Sequence, residues 1–103
     1  MHILIPRDPY HDKFFVRRTE LDMNEAIDLL ESFGHQVCLC EVNTNQSHVD
    51  FSVSYLRDDI RESIAGDYYI SKTIVVEDFG LSSKYRIDFA NDDDATIFKL
   101  SWF

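Results

Sequence analysis

Asp8, His11 and Asp12 are the one close-spaced group of histidine and carboxylates in the chain, in a stretch marked by Pro6 and Pro9. A divalent metal takes such ligands, but a site needs a fuller ligand set and outer partners that orient it. Three polar residues in a proline-marked stretch read first as a solvated loop, and no metal is expected there. Cys38 and Cys40 follow a Cys-x-Cys spacing without a second pair, which is not a zinc pattern. Two residues apart on one strand, they point the same way and are poorly placed to bridge each other, so they read as small apolar strand residues. Nucleophilic catalysis needs a Ser, Cys or Thr with a base and an orienting group. Those residue types are present, but no nucleophile elbow or phosphate-binding loop is, and three glycines build no phosphate cradle. His2, His35 and His48 have no partner visible in the sequence. His35 follows Gly34, where a cation would favour the negative end of a helix dipole. The expectation is a protein that is not an enzyme and takes no cofactor.

Tyr55, Tyr68, Tyr69 and Tyr85 with Phe51 would suit a platform for stacking bases, but such platforms come with a basic groove. Ten basic against nineteen acidic residues give a net charge of −9. Residues 1–19 carry four basic and two acidic side chains, net +2, and residues 20–103 carry six and seventeen, net −11. Arg17-Arg18 is the one basic foothold. Such a surface repels nucleic acid and anionic lipid and attracts basic partners, besides keeping the protein soluble. Neither direct nucleic-acid binding nor membrane binding is expected. The densest acids are Asp58, Asp59 and Glu62, then Asp92, Asp93 and Asp94. These six are the candidate partner-binding residues, meeting a basic protein surface in the place of phosphate.

Elements follow from period and punctuation. Met1 to Ile5 reads as a strand ended by Pro6, Arg7 to Asp12 as loop, and Lys13 to Thr19 as a second strand. Asp22 and Glu25 form a capping box, and Met23, Ala26, Ile27, Leu30 and Phe33 recur at helical spacing up to Gly34, a left-handed C′ residue. His35 to Val42 is apolar on both faces, which places it centrally in a sheet. Asn43 to Ser47 reads as a turn too long for the tightest hairpin. Val49, Phe51, Val53 and Tyr55 alternate with polar residues as a strand. Leu56, Ile60 and Ile64 step by four as a short helix ended by Gly66. Tyr68 to Glu77 is a strand, Asp78 to Ser83 a loop, and Tyr85, Ile87 and Phe89 the buried face of a last strand.

After the acidic corner the chain has two readings. As a strand it would align Phe98, Leu100 and Trp102 on one face, favoured by its β-branched and aromatic content. As a helix, with Asn91 as cap and three acids at the positive end of the dipole, it would align Ala95, Phe98 and Trp102. The acids favour the helix, and Phe98 and Trp102 enter the core either way. One domain spans residues 1–103, of α+β class: a mostly antiparallel sheet with two or three helices packed on it. No apolar run approaches the length that spans a bilayer, and the first residues lack the pattern of a secretion signal, so a cytoplasmic protein is expected.

The ending Asp94-Ala95-Thr96-Ile97-Phe98-Lys99-Leu100-Ser101-Trp102, behind a strand and an acidic corner, resembles the tail of small uncharacterised proteins of tailed phages. The resemblance covers under a fifth of the chain and implies a viral origin, with no binding or catalytic residue attached. Two functions follow as expectations. One is an acidic interaction protein that binds, and blocks, a basic surface of a host protein such as a nucleic-acid enzyme or a defence component. The other is an assembly module that forms homo-oligomers through strand edges.

Overall fold

Antiparallel pairing organises the whole molecule, but in two sheets rather than one. The computed structural model describes residues 1–7, 11–45 and 47–102, without the side chains of His11 and Asp12. The elements run β1 (His2–Pro6), α1 (His11–Phe14), β2 (Phe15–Leu21), α2 (Met23–Ser32), β3 (Leu39–Asn45), β4 (His48–Leu56), α3 (Asp58–Glu62), β5 (Tyr68–Glu77), β6 (Gly80–Phe89) and α4 (Asp92–Trp102). One sheet has the order β1-β6-β5 and the other β2-β4-β3, and every pairing within them is antiparallel. The fold is α+β.

The alternation of Tyr85, Ile87 and Phe89 holds: all three are buried, with Ile3 and Ile5 of β1 and Ile70 of β5 on the same face. Opposite them the second sheet contributes Phe15 and Leu56, and the rings of Phe15 and Tyr85 stack at 4.1 Å across the gap. Ile60 of α3, Ile64 beyond it, and Ala95 and Phe98 of α4 join this core. The helical reading of the C-terminal run is the observed one. Phe98 sits 5.7 Å from both Phe14 and Phe89, ring centre to ring centre. Trp102 packs against the core from a partly buried position, so it enters less deeply than its spacing suggested.

On its other face the second sheet is covered by α2. The capping box forms as expected: Glu25 N–H donates to Asp22 at 2.8 Å, and Asp22 N–H donates back to Glu25 at 3.4 Å. Gly34 follows the C-cap with φ +61, the left-handed residue that ends the helix. The buried stripe differs from the expected one. Ala26, Leu29, Leu30 and Phe33 meet Leu21, Cys38 and Val53, while Met23 and Ile27 are exposed. At about 100° per residue Ile27 lies a quarter turn from Ala26, off the contact line.

Five further expectations are corrected. The segment from His35 is not a central strand. Val37 pairs with Tyr69 of the first sheet, and the chain then crosses to the second, where β3 is an edge. Its apolar residues touch two layers in succession, which imitates burial on both faces. The central strand is β4, where Ser52 and Ser54 are buried behind Val53. The β3–β4 ladder runs on to Asn45↔His48, so two residues join the strands. Likewise β5–β6 runs to Glu77↔Gly80, where a loop from Asp78 to Ser83 was expected. His11 to Phe14 form a helical turn ahead of β2, and Leu56 ends β4 rather than starting a helix.

Candidate functional site

The six acidic candidates separate once their neighbours are known. Asp94 is 5% exposed, and its carboxylate accepts from Gly66 N–H at 2.9 Å and Ala65 N–H at 3.3 Å. It is an internal latch between α4 and the turn after α3, which removes it from any contact surface. The same corner accounts for Gly66: a Cβ there would displace the Asn91 side chain and crowd the Asp94 carboxylate, so glycine serves close approach rather than ending a helix. Asp58 pairs with Arg61 at 3.0 Å and Asp59 with Arg57 at 3.5 Å. Asp92 lies 3.4 Å from the N-terminal amine. Glu62 and Asp93 are exposed and unpaired among the described residues. Asp92 and Asp93 line a shallow groove of about 610 Å³ together with Ile97.

The other candidates resolve as follows. Cys38 is buried, with burial pushing its thiol up to about 12, whereas Cys40 is exposed, so only one of the two is a core residue. Tyr68 and Tyr85 are buried and Tyr55 stacks on Phe33 at 4.9 Å, which leaves no row of open rings among them. His48 lies 3.5 Å from Asp50, two residues along β4. Asp8 and the side chains of His11 and Asp12 lie outside the described residues. Among the described residues no group of three metal-ligating side chains forms, and no helix is long and apolar enough to cross a membrane.

Two features were not legible as sites. The first is the distal half of the β5–β6 hairpin. Among the described residues β1 pairs with β6 at Lys84 to Asp88, and none pairs with residues 80–83 on that side. On the face that continues Tyr85 and Ile70, the hairpin presents Ile74, Val76 and Leu81 to solvent, and Phe79 at its tip is fully exposed. The molecule is accordingly long and flat, 44 × 38 × 20 Å, with a radius of gyration of 14.4 Å against ~13 Å for a compact chain of this size.

The second feature lies where that hairpin leaves the body. Arg7, Arg17, Lys72 and Lys84 line a groove of about 740 Å³ with Glu77, Ser82 and Ser83. Arg7 donates to both carboxylate oxygens of Glu41, at 2.7 and 3.4 Å, and its guanidinium lies 4.8 Å over the Tyr85 ring. Lys72 approaches Glu41 at 3.9 Å. The hydrogen bond from Arg7 holds the Glu41 carboxyl below its ordinary range, with the charges of Arg7, Lys72 and Arg17 acting in the same direction against partial burial. Spread over four elements in the sequence, these cations gave no local signal.

Compared with family models, curated proteins and solved structures, the chain matches none.

Proposed function

We propose that this protein is an interaction protein whose contact is the distal β5–β6 hairpin, steered to its partner by the acidic surface. The carrying observation is the fully exposed Phe79 beside exposed Ile74, Val76 and Leu81. A contiguous apolar face of this kind on a small protein marks a contact surface, and a lone aromatic at a tip is the form of an anchor that fills a pocket. Glu77 and Asp78 flank the anchor, and the whole chain carries −9. Charge decides the occupant. Two copies at −9 repel, whereas a partner with an apolar pocket and a basic rim is attracted at long range and held at short range. The resemblance of the C-terminal run to tailed-phage proteins would make that partner a host protein, which the contact would block. Glu62 and Asp93, the unpaired acids, supply steering rather than the anchor.

The test is capture from host lysate at low and high salt by wild type, Phe79→Ser, and the double variant Glu62→Gln/Asp93→Asn. A partner lost by Phe79→Ser and weakened by salt and by the double variant supports the reading. Equal capture by wild type and Phe79→Ser sinks it. A dimer in sedimentation that Phe79→Ser dissolves would give the hairpin to a second copy, and the assembly-module function would replace this one.

A further inference from the structure

The basic groove sits uneasily on a protein of charge −9, and nothing in the interaction reading uses it. Four of the chain's ten cations line it, against one lining carboxylate among the described residues. Counting Glu41, which Arg7 and Lys72 share, the balance among the described residues is four positive and two negative charges, net +2. Structural ion pairing does not require that surplus. Glu41 binds Arg7 in a forked geometry and Glu77 binds Lys84 at 3.3 Å, while Arg17 has no ion pair among the described residues. Like cations gathered within a Debye length of ~8 Å repel, so an arrangement that keeps a surplus is stabilised when an anion enters.

The walls supply more than charge. β1 ends at Pro6, whose ring carries no N–H, and beyond it the edge of β6 at residues 81–83 has no pairing strand among the described residues. Ser82 and Ser83 stand on that edge. The Ser83 hydroxyl is buried and has no hydrogen-bond partner among the described residues. Ser82 donates to Glu77 at 2.8 Å and can turn to another acceptor. Guanidinium forks and hydroxyls around a net positive groove match phosphate oxygens better than a single carboxylate. A volume of about 740 Å³ exceeds what one phosphate fills.

We propose that this groove binds the oligophosphate end of a small phosphorylated molecule, held by Arg7, Arg17 and Lys72 with Lys84 and Ser82 at its rim. A nucleic-acid strand is the other phosphate-bearing class, and two observations disfavour it. Residues 20–103 carry −11, which repels an extended polyanion where it leaves the groove, and among the described residues no aromatic ring lines the groove to stack a base. A compact polyanion meets only the local surplus.

The experiment is calorimetric titration of the whole chain with tripolyphosphate, at low and at physiological salt. Arg17 and Lys72 are exposed enough to replace without disturbing the core. Saturable binding is expected, with Arg17→Gln and Lys72→Gln each weakening it about tenfold or more, as loss of a hydrogen bond to a charged group does. Lys99→Gln, on α4 and outside the groove, should change nothing. Glu41→Gln removes the internal competitor for Arg7 and Lys72 and should tighten binding up to about fivefold, an outcome that general loss of structure would not produce. Absence of saturable binding overturns the proposal, as does a Lys99→Gln effect equal to that of Arg17→Gln. Tighter binding of a short single-stranded oligonucleotide than of tripolyphosphate overturns it in favour of nucleic acid.

Discussion

The two halves of β6 belong to one ladder with β5 and meet different fates. From Tyr85 to Phe89 every second side chain is buried under the second sheet, α3 and α4. From Gly80 to Ser83 the same face looks outward, with Leu81 72% exposed beside Val76 at 80%. Alternation states that a face is apolar and says nothing about what covers it. In the C-terminal half the cover lies in the same chain, and burying each large side chain there stabilises by roughly 1.5–3 kcal/mol. In the N-terminal half no cover is present among the described residues, and the apolar face becomes a surface. A pair of substitutions breaks this comparison most sharply. Phe98→Ala, at the covered end, should cost about 3–5 kcal/mol in denaturant unfolding. Phe79→Ala, at the open end, should change stability by no more than about 0.5 kcal/mol. A large loss for Phe79→Ala would mean that the hairpin tip folds back onto its own body.

Within the acids the same division recurs between neighbours. Asp93→Asn should cost no more than about 0.5 kcal/mol in unfolding, the loss of one exposed charge from the first turn of α4, because its side chain has no ion pair among the described residues. Asp94→Asn should cost about 1–3 kcal/mol, since an amide in that position can serve the two buried N–H groups of Ala65 and Gly66 less well than a carboxylate. Equal stability of the two variants would show that the latch does not hold α4. A variant replacing Asp92, Asp93 and Asp94 together therefore confounds binding with folding.

How much of this was legible in the sequence depends on whether a signal is local. Helix α2, its capping box and Gly34, the limits of β5 and the buried face of the last strand were read from neighbouring residues, and the α+β class followed from them. The open half of β6 read as part of a loop from Asp78 to Ser83, because Gly80 and two serines hide the pairing that extends the strand there. Cys38 and Cys40 looked equivalent, and only the crossing between sheets separates them. The role of Asp94 depends on a turn 28 residues away. The basic groove draws on β1, β2, β5 and β6, which no window of sequence brings together.

The polar end of the molecule can be weighed by pH. Glu41 is held below the usual carboxylate range, first by its hydrogen bond from Arg7. A carboxylate with a depressed folded-state pKa contributes stability that is present above the unfolded pKa and is lost as pH falls through the folded one. Glu41→Gln should therefore destabilise by about 1 kcal/mol at neutral pH and flatten the acid limb of the stability profile. If wild type and variant lose stability in parallel below the carboxylate range, the Arg7–Glu41 pair contributes nothing to that limb.

β2 serves both layers, and one residue sets where it switches. Phe15 faces the core between the sheets, and strict alternation would send Leu21 to that same side. Leu21 instead packs under α2 with Ala26 and Val53. The register explains the switch: Arg18 pairs with Val53 and Leu21 with Phe51, so one extra residue sits in β2 between them. Such a bulge reverses the faces beyond it. Glu20 absorbs it with φ +59, a left-handed conformation that a side chain with a Cβ adopts at a cost of ~1–2 kcal/mol. Glycine adopts it freely but loses more chain entropy on folding, about 0.5–1 kcal/mol, so the two terms partly offset. Glu20→Gly should accordingly stabilise by about 0.5 kcal/mol, and Glu20→Val should destabilise by more than about 1 kcal/mol, because a β-branched residue tolerates positive φ least. If glycine and valine destabilise alike, residue 20 is not left-handed, the bulge is elsewhere, and the assignment of Leu21 to the helix-covered face falls with it.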